Sequence, residues 1–218
     1  MRRLLIALCC VALLSSVVVV SQAQDYSLAD YMPQTTGSTW TMTTTGENPR
    51  TSTIEITGEM EVGELQVPMA MTKDAEGVAR RGTLELVTAD AYTIYGMMFR
   101  GRGEDAELRT MLYNPAVEFP GTLTVGAESE ATTKIKFGEN EFEITQVIKI
   151  EAVEAVTVPA GTFEDCLKVV TTSKSGRGDR VTTTWYAKGV GAVQTERPSR
   201  RGEGDPTISQ LTEYTIAE

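Results

Sequence analysis

The chain has 218 residues, with 30 acidic against 20 basic side chains, no histidine and a net charge of −10. That acidic surplus argues against nucleic acid and against electrostatic docking on anionic lipid. The absent imidazole excludes Ser-His-Asp and Cys-His catalysis and His-ligated metal.

Arg2 and Arg3 precede an almost unbroken apolar run from Leu4 to Val20, and Ser21-Gln22-Ala23 supplies small residues ahead of Gln24. This is the pattern of a secretory signal cleaved after Ala23. It divides the chain into a leader, residues 1–23, and one domain, residues 24–218, for an exported product in the periplasm or medium. A retained membrane anchor is disfavoured, because the run is near the lower length limit and no positive flank follows it. Cys9 and Cys10 are poor candidates for lipid attachment, since Leu8 precedes Cys9 and the apolar run continues past both. No membrane span is expected after cleavage. The mature chain keeps one cysteine, Cys166, so no internal disulfide and no Cys-rich metal site can form. It also loses two positive charges and becomes more acidic still.

One helical turn is predicted from Leu28 to Tyr31, ended by Pro33. After it the segments are short, rich in Thr, Val and Ile, and alternate with period two between Gly, Pro, Asn and Asp. Trp40 and Met42 alternate with threonines ahead of a turn at Gly46 to Pro49. Ile54 and Ile56 follow, then a return strand over 64–71 in which Pro68 requires an edge or a bulge. Leu84 and Leu86 mark another strand, Ala91 to Phe99 the next, and Leu108 to Tyr113 one that Asn114-Pro115 should stop. Segments 121–125, 132–137 and 141–150 complete the middle, with Phe142, Ile144, Ile148 and Ile150 on one face. About ten to twelve strands result. The expected fold is all-β and mostly antiparallel, a curved sheet closing into a barrel, half-barrel or sandwich. A faint likeness between Ile54–Pro68 and Ile148–Pro159, both ending on Val-Pro, allows two similar halves.

The most informative stretch runs from Val153 to Gln194. Pro159-Ala160-Gly161 is a tight turn joining Val156 and Val158 to Phe163. Phe163, Leu167 and Val169 share a parity and are expected to face one core. Gly189-Val190-Gly191 is expected to bend or bulge a strand. The motifs V-P-A-G-T-F with its following Cys166, and W-Y-A-K-G-V-G from Trp185, resemble a pattern in a broad group of uncharacterised exported bacterial β proteins. Tyr31 to Met42, Y-M-P-Q-T-T-G-S-T-W-T-M, resembles that group's opening. Residues 50–145 share only its β character, and Met42 and Ala192 depart from its usual aromatic and larger aliphatic. The resemblance implies a curved antiparallel sheet in the cell envelope and transfers no catalytic residue.

Short motifs carry little chemistry. Arg177-Gly178-Asp179 is a cell-adhesion tripeptide at a predicted hairpin tip, where Gly and Asp are also ordinary turn residues. Gly103-Glu104-Asp105 and Gly202-Glu203-Gly204-Asp205 lack the ligand spacing of a calcium loop. Arg197, Arg200 and Arg201 cluster at another tip, either locally neutralised or a docking patch. Cys166 is expected to be a buried small apolar group. Met60, Met69, Met71, Met97, Met98 and Met111 are many for a chain with 6% aromatics. They fill an irregular core or, with Trp40 and Trp185, line an adaptable pocket for an apolar or lipid-like ligand. The leading expectation is therefore a non-enzymatic envelope protein without cofactor that binds such a ligand. A structural module docking an envelope protein partner is the alternative, and a carboxylate-dependent hydrolase a distant third.

Overall fold

The computed structural model describes residues 24–45, 49–101, 106–176, 178–199 and 204–218. Residues 1–23, Gly46 to Asn48, Arg102 to Asp105, Arg177 and Arg200 to Glu203 lie outside the described residues, and so do the expectations placed on them.

The described residues open with a short strand β1 (Asp25–Ser27) and a 3-10 turn (Leu28–Asp30). There follow β2 (Thr39–Thr44), β3 (Arg50–Val62), β4 (Leu65–Lys73), β5 (Ala79–Val87), β6 (Ala91–Arg100) and β7 (Leu108–Pro120). Then come β8 (Thr122–Thr124), β9 (Glu128–Phe137), β10 (Asn140–Val158), β11 (Gly161–Ser175), β12 (Arg180–Ala187), β13 (Gly191–Arg197) and β14 (Thr207–Thr215). Twelve of these strands close into an antiparallel barrel, and β1 pairs with β8 in a separate small sheet. Strand follows strand around the barrel in chain order, except that β7 pairs with β9 across the excursion to β8. The last strand, β14, closes against β2.

Alternation assigns the faces. Trp40 faces Ile54, Ile56 faces Ala70 and Thr83 faces Met97 across successive ladders, so these residues share one face. That face also carries Glu85, Tyr92, Val117, Phe119, Ile150, Leu167 and Val169, and it lines the cavities, so it is the lumen. Twelve strands enclose more space than wall side chains alone fill. Leu28, Tyr31 and Leu123, from the β1–turn–β8 excursion, join the Tyr92, Phe119 and Ile150 cluster and plug one end. The Leu28 amide donates to the Gly121 carbonyl at 2.8 Å, tying the plug to the β7–β8 corner.

Several expectations change in detail because bulges flip parity. Glu154 pairs with Cys166 but Val156 with Phe163, so β11 holds one extra residue there, with Asp165 at φ 52°. Phe163 therefore joins Cys166, Val156 and Trp185, not Leu167 and Val169 as expected. Asn114-Pro115 does not stop a strand. It sits in a wide irregularity between the Ile94–Val117 and Gly96–Leu112 pairs, where proline's missing N–H removes no ladder bond. Gly189-Val190-Gly191 is the hairpin turn between β12 and β13, with Gly189 at φ 70° and Gly191 at φ 103°, not a bend within a strand. Pro68 lies opposite a bulge of β3 that contains Gly58. The two Val-Pro segments are not equivalent: the first spans the β3–β4 hairpin, whereas the second is one strand running into a turn.

Candidate functional site

The barrel wall leaves two adjoining cavities in the lumen. The larger, about 180 Å³, is lined by Trp40, Ile54, Ile56, Pro68 and Ala70 from β2 to β4, by Thr83 and Glu85 from β5, and by Tyr186 and Ala192. It lies beside the place where β4 and β5 part. The β4–β5 ladder ends at Met69–Leu84, which leaves the backbone of 85–87 without a strand partner on that side. Gln34 fills the gap: its side-chain amide donates to the Glu85 carbonyl and accepts from the Val87 amide, both at 2.8 Å. Met32, Pro33 and Gln34 thereby form one wall of the cavity.

The wall is mostly apolar, with polar groups from Gln34, Thr83 and Tyr186 and one carboxylate, Glu85. Glu85 is half-buried and lies among Thr83, Tyr92, Tyr113 and Tyr186. Burial pushes its carboxyl above the usual value, against the opposing effect of hydrogen bonds from Thr83 and Tyr92. Burial, with the nearby Glu85 charge, holds the Tyr113 phenol up at about 12 and raises those of Tyr92 and Tyr186 too. The folded protein therefore keeps the Glu85 proton to higher pH than the unfolded chain. Stability from this group is present at low pH and is lost as pH rises from about 4.5 through the folded value. Glu85→Gln is expected to be as stable as wild type at pH 5 and more stable at pH 8. Urea unfolding at both values checks this, and a wild-type-to-variant difference that stays constant between them would remove burial as the cause.

The smaller cavity, about 80 Å³, adjoins the larger across Ile54. It is polar, with Arg50, Arg81 and Arg197 set among threonine and serine hydroxyls. Arg197 is thus a lumen residue on β13, opposite Thr207, and not part of an exposed tip. Its companions Arg200 and Arg201 lie outside the described residues.

Of the eight pocket residues expected from sequence, Trp40 alone lines the larger cavity. Trp185 lies on the opposite face, with its indole N–H on Glu154 at 2.6 Å and the Lys168 ammonium 5.7 Å from its ring centre. Met60, Met69, Met71 and Met98 pack around the fully buried Val67 and Leu84, also on the opposite face. Gly82 leaves room for two of them, since a Cβ there would stand 2.5 Å from Met71 Sδ and 2.9 Å from Met98 Cε. Met97 faces the lumen beside the tyrosine cluster and is paired across the ladder with Met111. The methionines are spread over two faces because adjacent Met97 and Met98 on β6 point opposite ways while Met69 and Met71 on β4 share the face of Met98, so their abundance does not mark a pocket. Cys166 is fully buried, with its thiol pushed up to about 11 by burial. Missed by sequence reasoning were Glu85, Gln34, Arg50 and Arg81, and Arg197 was placed at an exposed tip; a lone charged residue in a strand is the only signal Glu85 and the arginines give, and Gln34, an uncharged loop residue, gives none.

Residues 110–204 match a family model described as DUF3108-like, a domain of unknown function. The match runs from β7 to β13 and contains both C-terminal motifs, whereas Tyr31 to Met42 falls outside it. No curated protein matches the chain. Two solved structures resemble its fold. One is a protein of Parabacteroides distasonis described as a candidate lipoprotein, 16% identical, covering 84% of this chain and 97% of its own, with a TM-score of 0.49. The other is a protein of Bacteroides fragilis described as exported and YmcC-like in fold, also 16% identical, covering 85% and 98%, with a TM-score of 0.48.

Proposed function

We propose that this is an exported, non-enzymatic binding protein that holds an apolar or lipid-like group in the larger lumen cavity. The observation that carries the reading is a space of about 180 Å³ with a largely apolar wall inside a closed barrel. Dry apolar cavities near 150 Å³ take benzene-sized guests. This one suits a ring or a short length of chain. Glu85, protonated or not, gives the guest a hydrogen-bonding point beside Thr83 and Tyr186 in a mostly apolar wall. Export is supported by the basic and then apolar leader of residues 2–20. A binding role is favoured over catalysis by the absence of histidine and by the weakly acidic, buried Cys166 thiol.

The test is uptake of N-phenyl-1-naphthylamine by the mature protein, with native mass spectrometry of protein purified from its host. Saturable fluorescence and a co-purifying adduct are expected. Ala70→Phe, which fills the cavity from its wall, should weaken uptake at least about tenfold while the circular dichroism spectrum is kept. Uptake that is absent in wild type, or unchanged in Ala70→Phe, would sink the reading.

A further inference from the structure

We propose that the arginine-lined end of the lumen is a binding site for a phosphate group. Arg50 opens β3, Arg81 lies on β5 and Arg197 ends β13, so three distant segments deliver guanidinium groups to one cavity of about 80 Å³. The rest of its polar wall is hydroxyl. Thr44 faces Arg50 on one ladder and Ser209 on the other, to which it is hydrogen-bonded at 2.7 Å, and Thr207 faces Arg197. Arg180, at the start of β12, adds a fourth positive charge close to Arg197.

These charges form no ion pair among the described residues. Among the described residues six lysines hold a carboxylate, on Glu55, Glu141, Glu128, Glu151, Glu130 and Asp30. None of the ion pairs among those residues includes Arg50, Arg81, Arg180 or Arg197. Among the described residues no carboxylate pairs with this cluster, and its exposed members Arg50, Arg81 and Arg180 are open to an anion from solvent. The cluster is also self-repelling: partial desolvation against the cavity wall first, and then the neighbouring arginines, lower the proton affinity of Arg81 and Arg197. An entering anion relieves that repulsion. Arg81 remains accessible to solvent, so a diffusing anion can reach it.

Phosphate fits better than carboxylate for reasons of number. Guanidinium forks pair two N–H groups with two oxygens of an oxyanion. Three forks and several hydroxyls exceed the two oxygens of a carboxylate, whereas a tetrahedral phosphate offers three or four acceptors and up to two negative charges. A free phosphate and the headgroup of an anionic amphiphile share this chemistry. The apolar cavity beyond Ile54 is where the tail of such an amphiphile would lie, but the inference does not require that cavity to be filled.

Isothermal titration of the full mature protein with inorganic phosphate, against sodium chloride at equal ionic strength, tests it. Saturable binding is expected with phosphate and not with chloride. Arg81→Gln and Arg197→Gln should each weaken it at least about tenfold. In phosphate-free buffer both variants should resist urea as well as wild type or better, because a repelling charge is gone. Arg81→Lys keeps the charge and the fold but loses the fork, and should also bind weakly. Heat no greater than with chloride, or phosphate binding retained in both glutamine variants, overturns the proposal. A second arm uses dodecyl phosphate. Binding tighter than that of inorganic phosphate, and weakened by both Ala70→Phe and Arg81→Gln, assigns an amphiphile headgroup; equal binding assigns free phosphate. Phosphate binding alongside failed uptake of the naphthylamine would refute only the apolar-cavity reading.

Discussion

Trp40→Ala is expected to lose about 3–5 kcal/mol of unfolding free energy, the range for truncating a buried aromatic. Trp40 is only 6% exposed and packs with Met42, Ile56, Val193 and Leu211, joining β2 to the β13–β14 side of the barrel. Its indole N–H donates to the Val190 carbonyl in the β12–β13 turn. The ring lies against Gly191, where a Cβ would come within 3.1 Å of Nε1. One side chain thus fixes a turn, fills a cluster and walls the larger cavity. Trp40→Phe keeps most of the buried area but leaves the carbonyl without its donor, and should cost about 1–3 kcal/mol. Urea unfolding followed by circular dichroism measures both. Since a domain of this kind is stable by roughly 5–15 kcal/mol, the alanine variant should be close to the limit of folding. A loss below about 1 kcal/mol for the alanine variant would mean that the indole is not packed as described.

Gly96→Ala should be nearly as harmful for a different reason. Gly96 is buried on β6 opposite Leu112, where the β6–β7 ladder becomes irregular. A Cβ there would stand 2.5 Å from the Met111 carbonyl oxygen and 3.0 Å from Leu112 Cα. Both neighbours are backbone, so no rotamer change relieves the clash and the strands must separate. A loss at the upper end of about 1–3 kcal/mol is expected. Gly176→Ala is the contrast: nothing lies within 4 Å of its Cβ position and its φ is not in the left-handed region. That variant should be neutral or gain up to about 1 kcal/mol through the unfolded chain. Melting temperatures of the two variants side by side would show the difference, and equal values would refute the close β6–β7 approach.

How the sequence encodes the barrel explains which parts of it are legible. Strand identity follows from period two, and Pro159-Ala160 and Gly138-Glu139 place hairpin turns where they occur. The resemblance carried by Val158 to Phe163 and Trp185 to Gly191 lies within the 110–204 family match. Face assignment fails beyond each bulge, because one unmarked extra residue reverses the parity of everything after it. Phe163 shows this: Asp165 has left-handed backbone with no glycine to announce it. The cavity is harder still. Arg50, Arg81 and Arg197 meet only because the ladders bring β3, β5 and β13 around one lumen, and no local pattern records that closure. Gln34 is similar, since its role depends on a gap between strands 30 or more residues away.

The pairing of β14 with β2 has a consequence for how the molecule comes into being. Thr44 and Ser209 meet across a separation of 165 residues, and every other neighbouring strand can pair before that contact exists. A chain emerging from its N-terminus can therefore zip a growing meander but cannot finish it until the final strand is free. Up to that moment β2 and the newest strand each present an open ladder, the kind of surface on which chains join one another. A polypeptide cut short before Thr207 keeps both ladders open. Its fate is then set by whatever chaperone or protease reaches those ladders first, which makes closure by the last strand a mark of completeness that quality control can read.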